Sequence, residues 1–206
     1  MFLLQAFPNK KKNITQIGRS ALVFAVISLL ISAFFPLQYK AETQLLVLPK
    51  HTTADPYVSL KSAERTGDTL THIITTDSFF RSVEQKKATF SLDTAQFEEI
   101  SEQKKRKRWK KLVSGNVMYG TAIIQLQTYH KNKDQAVAYG KAISAVLAKE
   151  AQNYTGTAIT IKEISTPIVS RFPVRPNLLL NALFGALIGG LGMAVWQRRK
   201  EIVPMV

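Results

Sequence analysis

The chain has 206 residues, with 28 lysines and arginines against 14 aspartates and glutamates, a formal net charge of +14 and no cysteine. Without cysteine there is no disulfide scaffold, thiolate metal site, iron–sulfur cluster or cysteine nucleophile. The apolar residues are unevenly spread, and two long stretches carry no charge at all.

No charged side chain occurs between Arg19 and Lys40, a stretch of 20 residues, or between Arg175 and Arg198, a stretch of 22. A helix needs about 20 mainly apolar residues to cross the roughly 30 Å hydrocarbon layer. The sequence therefore predicts transmembrane helices at residues 20–37 and 177–197. Lys10, Lys11, Lys12 and Arg19 would also suit the basic region of a signal peptide. That region is long, however, and the apolar run ends in Phe34-Phe35 without a small-residue cleavage site, so an uncleaved span is the better reading. Residues 1–19 carry four basic and no acidic side chains, and residues 198–206 three basic and one acidic. Basic residues in short flanks mark the cytoplasmic side, and long loops are exempt from that rule. Both ends are thus expected in the cytoplasm, as a basic N-terminus and a basic tail. Residues 38–176 are expected outside it, as one α+β domain with 21 basic and 13 acidic residues. That placement argues against nucleic acid as a partner, the usual inference from so basic a chain.

Within that segment, Tyr39 to Pro49 alternates and then turns apolar, which predicts a strand. Asp55 is positioned to cap a helix that has Pro56 at its first position. Leu60, Ala63, Gly67, Leu70 and Ile74 then form one helical stripe. Thr76 or Asp77 offers a new cap before Phe79, Phe80 and Val83. Ser91 to Lys111 reads as one further helix, with Asp93 as its cap candidate and Phe97 and Ile100 as a thin apolar face. Two strands follow, Leu112 to Tyr119 and Thr121 to Tyr129, around Gly120. Asp134 to Asn153 is the clearest helix, burying Ala136, Val137, Tyr139, Gly140, Ile143, Val146 and Leu147. Thr157 to Ser165 alternates as a last strand, and residues 166–176 form a proline-rich linker to the second span.

Three groups of residues suggest function. In the second span, Gly185, Ala186, Gly189, Gly190 and Ala194 form small-residue ridges at four-residue spacing. Such ridges let helix backbones approach closely in lipid, against either the first span or a neighbouring subunit. Asn181 in the same span would be costly facing lipid, so it belongs either against protein or near the headgroups. Lys104, Lys105, Arg106, Lys107, Arg108, Lys110 and Lys111 surround Trp109 in a run with seven basic residues in eight. This run is either a solvated helix face or a site for anionic lipid headgroups, a lipid-linked sugar or an acidic polymer, with Trp109 able to stack on a sugar ring. A membrane-anchored module that binds anionic polymer or lipid-linked sugar on its own is one functional reading of it. Catalysis finds little support: His51, His72 and His130 are scattered, and neither a nucleophile elbow nor a phosphate-binding loop is present. No cofactor or metal is expected.

The order of elements resembles one known family. It runs from a strand after the first span, through the Asp55-Pro56-Tyr57 helix, an Ile124-containing strand and the Asp134-x-Ala136 helix. It ends in Pro167-Ile-Val-Ser-Arg-Phe-Pro173-Val-Arg175-Pro176-Asn177, leading into Asn181, Gly185, Gly189 and Gly190. In that order it is similar to the polysaccharide chain-length determinant (Wzz) family, or polysaccharide co-polymerases. The resemblance implies a non-enzymatic homo-oligomer of the bacterial cytoplasmic (inner) membrane. Such a protein sets the length of O-antigen, capsule or exopolysaccharide beside a membrane polymerase, with polysaccharide or lipid-linked sugar within reach. Short members of the family, like this chain, often pair with a separate cytoplasmic tyrosine kinase. The resemblance also gives Pro167, Pro173, Arg175, Pro176 and Asn177 the role of a stiff strut coupling the outer domain to the spans.

Overall fold

The computed structural model describes residues 10–50 and 55–202. His51, the first nine residues and residues 203–206 of the basic tail lie outside them. The fold is mixed α+β, with one four-stranded antiparallel sheet and a long apolar helix at each end. It divides into two units: residues 38–174, and the two end segments, which belong together.

The unit of residues 38–174 is built on β1 (Tyr39–Pro49), which pairs on one side with β3 (Ile123–His130) and on the other with β4 (Ile159–Val169). A short β2 (Val113–Val117) completes the order β2-β3-β1-β4. Strand alternation sorts the side chains to two faces. Ala41, Thr43, Leu45 and Val47 of β1, with Ile124, Leu126 and Thr128 of β3, are buried, whereas Lys40, Glu42, Gln44, Gln125 and Gln127 occupy the other face. There Lys40 lies 2.7 Å from Glu42, and its ammonium holds that carboxyl below its usual range.

Helices α2 (Pro56–Ile73) and α6 (Lys133–Thr155) cover the apolar face. Asp55 caps α2, accepting from the Tyr57 amide at 2.8 Å, and Pro56 takes the first helical turn, where no donor is needed. Ala63, Gly67, Leu70 and Ile74 are buried, while Leu60 at the start of the stripe is exposed. Asn132 caps α6, and Gly156 ends it in the left-handed conformation that glycine adopts without strain. Between the two helices run α3 (Asp77–Glu84), capped by Thr76, and the single turn α4 (Lys87–Phe90).

Residues 91–101 are not helical, contrary to the sequence expectation. Ser91 and Glu99 have positive φ, and a 3-10 turn covers Ala95–Phe97. Asp93 accepts from the Ala95 amide at 3.1 Å, a local bond that competes with a helix. The break lets Leu92 and Phe97 reach the core, where a helix could not place both. The true helix, α5, is Glu102–Leu112, with Ser101 as its N-cap residue. Its Trp109 is fully buried among Phe80, Phe97 and Tyr139, with the Phe80 ring centroid at 5.0 Å. The indole nitrogen donates to the Ile74 carbonyl at 2.8 Å.

The last strand also differs from expectation. β4 continues to Val169, so the first residues of the proposed linker are strand. Its register shifts twice, between Ile168 and Ser165, where Thr166 and Pro167 oppose the single residue Thr43 in a bulge, and between Ser165 and Glu163. Proline is tolerated there because an edge strand with a bulge does not need its missing donor.

Because Trp109 fills the middle of the aromatic cluster, Trp109→Ala is expected to destabilise this unit by about 3–5 kcal/mol. Chemical denaturation followed by circular dichroism would measure it, with Trp109→Phe losing less.

Candidate functional sites

The end segments form an antiparallel helical hairpin of α1 (Lys10–Ala33) and α7 (Leu178–Ile202). Both helices are long and apolar enough to cross a membrane. Their outward faces are apolar and exposed, as at Leu22, Ile31, Leu179 and Ile188. Their facing sides carry small and polar residues, with Phe24 of α1 seated against the glycines of α7. A Cβ added at Gly185 would lie 2.6 Å from the Phe24 carbonyl oxygen, and one at Gly189 would lie 2.7 Å from the Ser20 carbonyl oxygen. Only glycine permits this approach, because the obstacle at both positions is backbone. Gly190 faces Ala21, while Ala186 and Ala194 are half-buried on the same helix.

The close approach lets hydroxyls cross the seam. Ser20 donates to the Gly189 carbonyl at 2.9 Å, and Ser28 to the Asn181 carbonyl at 2.8 Å. The Asn181 amide donates to the buried Ser32 hydroxyl at 2.7 Å, and the Gln197 amide to Gln16 at 3.1 Å. Asn181 therefore faces protein. Interhelical bonds of this kind contribute about 0.6 kcal/mol each in lipid, with close packing adding to them. The α1 half of the seam escaped the sequence reading. Its signal was present, since Ser20, Ser28 and Ser32 share one helical face, but single serines in an apolar run look unremarkable.

The proline residues fall in different settings. Pro167 sits in the β4 bulge, its ring 3.8 Å from where a Cβ on Gly140 would lie, so it packs where α6 comes closest to the sheet. Pro173 is half-buried, and the next amide, Val174, donates to Gln38 at 2.8 Å. In the hairpin unit, Asn177 is the cap of α7, its side chain accepting from the Leu180 amide at 3.1 Å. Arg175 and Pro176, joined by a cis peptide, precede it.

In the basic run, α5 exposes Lys104, Arg106, Lys107, Arg108, Lys110 and Lys111, and Lys105 is half-buried beside Glu102 at 3.1 Å. Arg108 donates to the Gln96 carbonyl. Trp109 does not belong to this surface: its ring is in the core and cannot stack on a sugar. Glu98, a few residues before the run, is engaged by Lys87 at 3.2 Å, which holds its carboxyl below the usual range. Near α5, His130 is 8% exposed, and its Nδ1 accepts from the Asn132 amide at 3.1 Å. Burial pushes the imidazole below its ordinary pKa of 6.5. At the other end of the sheet, Tyr57, Lys61, Arg65, Tyr119 and Tyr154 line an open groove that the sequence did not suggest.

Two expected outcomes follow from these sites. The chain has no cysteine, and the Ala21 Cβ lies 3.6 Å from the Cβ position at Gly190, within the disulfide range. Ala21→Cys with Gly190→Cys should therefore oxidise to an intramolecular disulfide, read by non-reducing electrophoresis and mass. Adding Gly185→Leu and Gly189→Leu should sharply lower its yield. For His130, the depressed folded pKa means that its stabilising contribution is complete above the unfolded value and is lost as pH falls through the folded value. The unfolding midpoint should fall from about pH 7 to about pH 5, with a shallower slope in His130→Gln.

Comparison with protein-family models gave no match, and comparison with curated proteins gave none either.

Proposed function

We propose that this chain is a polysaccharide co-polymerase of the chain-length determinant type, anchored in a bacterial cytoplasmic membrane by α1 and α7. Its ends lie in the cytoplasm and its α+β unit outside. The observation that carries this reading is the order of parts. An apolar helix leads into one α+β unit whose first and last strands are partners, and a proline-bearing segment leads from it into a glycine-rich apolar helix. The apolar outer faces of α1 and α7 support membrane residence. The basic residues flanking them support the orientation.

In this reading the protein works by scaffolding and not by catalysis. Several copies assemble, and their outer units gather a membrane polymerase with its growing polysaccharide or lipid-linked sugar. The segment from Pro167 to Asn177 couples the outer unit to the hairpin, because proline fixes φ and stiffens the chain. A separate cytoplasmic tyrosine kinase is a further partner that the resemblance suggests for the basic tail.

The test is the size distribution of surface polysaccharide, by gel, with and without the gene in its own host. A defined modal length should give way to short or random chains on deletion, and an unchanged distribution would sink the length-control role.

A further inference from the structure

Helix α5 sets the direction of the basic run. Trp109 and Leu112 are buried, and at 100° per residue Lys104, Arg106, Lys107, Arg108, Lys110 and Lys111 then span the opposite arc, all of them exposed. The helix stacks like charges at spacings of three and four: Lys104 on Lys107 and Arg108, Arg106 on Lys110, and Lys107 on Lys110 and Lys111. Such pairs destabilise a helix. Among the described residues, Lys104, Arg106, Lys107 and Lys110 carry no ion pair. The buried Trp109 and Leu112 hold the helix in place despite the repulsion, so the folded unit keeps a dense cationic face.

The place of this face in the unit is equally informative. Helix α5 runs directly into Val113, which pairs with Thr128, and Thr128 lies opposite Ala41. Ala41 in turn pairs with Val169. This is the end of the sheet where the chain enters at Gln38 and leaves at Val174, joined there by the Val174 amide on the Gln38 carbonyl. Lys131 lies in the turn between β3 and α6, Lys133 is the first residue of α6, and Arg171 follows β4, all at that same end. Lys133 donates to the Arg171 carbonyl at 3.2 Å and lies 4.7 Å over the Tyr39 ring. The same segments also carry Asp93, Glu99, Glu102 and Asp134, but Glu42, Glu98 and Glu102 are already engaged by Lys40, Lys87 and Lys105, and positive charge stays in surplus. The surplus positive charge is spread over three chain segments. A broad anionic surface fits that spread better than a single threaded polymer.

We infer that this cationic end of the α+β unit docks on the phosphates of an anionic lipid surface, with α5 supplying the main contacts. The inference rests on the membrane reading, in which the end where the chain enters and leaves is the end tethered to the bilayer. A lysine or arginine close to an anionic leaflet strengthens contact about fivefold, and salt screens the effect.

The test uses the full chain in vesicles of phosphatidylcholine, with or without phosphatidylglycerol. Flotation reports membrane residence, and hydrogen exchange across residues 102–112 reports docking. The chain should float with both vesicles, and α5 should exchange at least about fivefold more slowly when phosphatidylglycerol is present. High salt should abolish that difference, as should the variant carrying Lys104→Gln, Arg106→Gln, Lys107→Gln and Lys110→Gln. Glutamine keeps helix propensity, and unchanged exchange in α2 and α6 would show the variant folded. Flotation with no dependence of α5 on phosphatidylglycerol would overturn the inference and leave the membrane reading standing. Protection of α5 by added heparin but not by phosphatidylglycerol would also overturn it, assigning the face to an acidic polymer. Failure to float would overturn the membrane reading and this inference together.

Discussion

Strand β1 is the element on which the rest of the α+β unit depends. It is paired along its length on both sides, by β3 and by β4, and it supplies Leu45 and Val47 to the core. Because β4 is the last element of the unit and runs antiparallel to β1, the chain leaves beside the point where it entered. The amides of Ser170 and Val174 extend that pairing past the sheet, to Lys40 at 2.7 Å and Gln38 at 2.8 Å. Every helix of the unit lies in sequence between strands fixed by this pairing. The order β2-β3-β1-β4 follows from it, with the two later strands flanking the first and the short β2 left at the edge.

The hairpin of α1 and α7 is governed by a different constraint. In a membrane, apolar side chains would gain nothing from meeting each other, and close packing and hydrogen bonds would supply the specificity. Glycine at 185 and 189 admits the backbone of α1, and the serines of α1 use that proximity to reach carbonyls of α7. Each half of this device requires the other: a larger residue at either glycine would separate the helices and break the bonds that the hydroxyls and Asn181 make across the seam.

Helix α5 joins two opposed demands in 11 residues. Two buried side chains, Trp109 and Leu112, fix it to the core, and from Lys104 to Lys111 every exposed side chain is cationic. The dipole partly reconciles them, with Glu102 in the first turn and Lys110 and Lys111 in the last. A surface composed for solubility alone would intersperse charges of both signs, and the proposed anion contact rests on that contrast.

Sequence by itself determined the elements that rest on local periodicity and composition. The two apolar helices, β1, α6 and the Asp55-Pro56 start of α2 were all legible, since burial on one face writes a period of two or of about 3.6 into the chain. The small-residue ridge of α7 and the charge run of α5 were legible for the same reason. Tertiary structure alone decided the break at residues 91–101, where placing Phe97 against Phe80 outweighed helical continuity. It decided that Trp109 lies inside and not on the cationic surface, because the partners that bury it, Phe80 and Tyr139, are distant in sequence. It carried β4 through Pro167, which an edge bulge accommodates, and it chose α1 as the partner of the glycine seam. In each case the deciding contact joins residues far apart along the chain, and local pattern carries no record of such contacts.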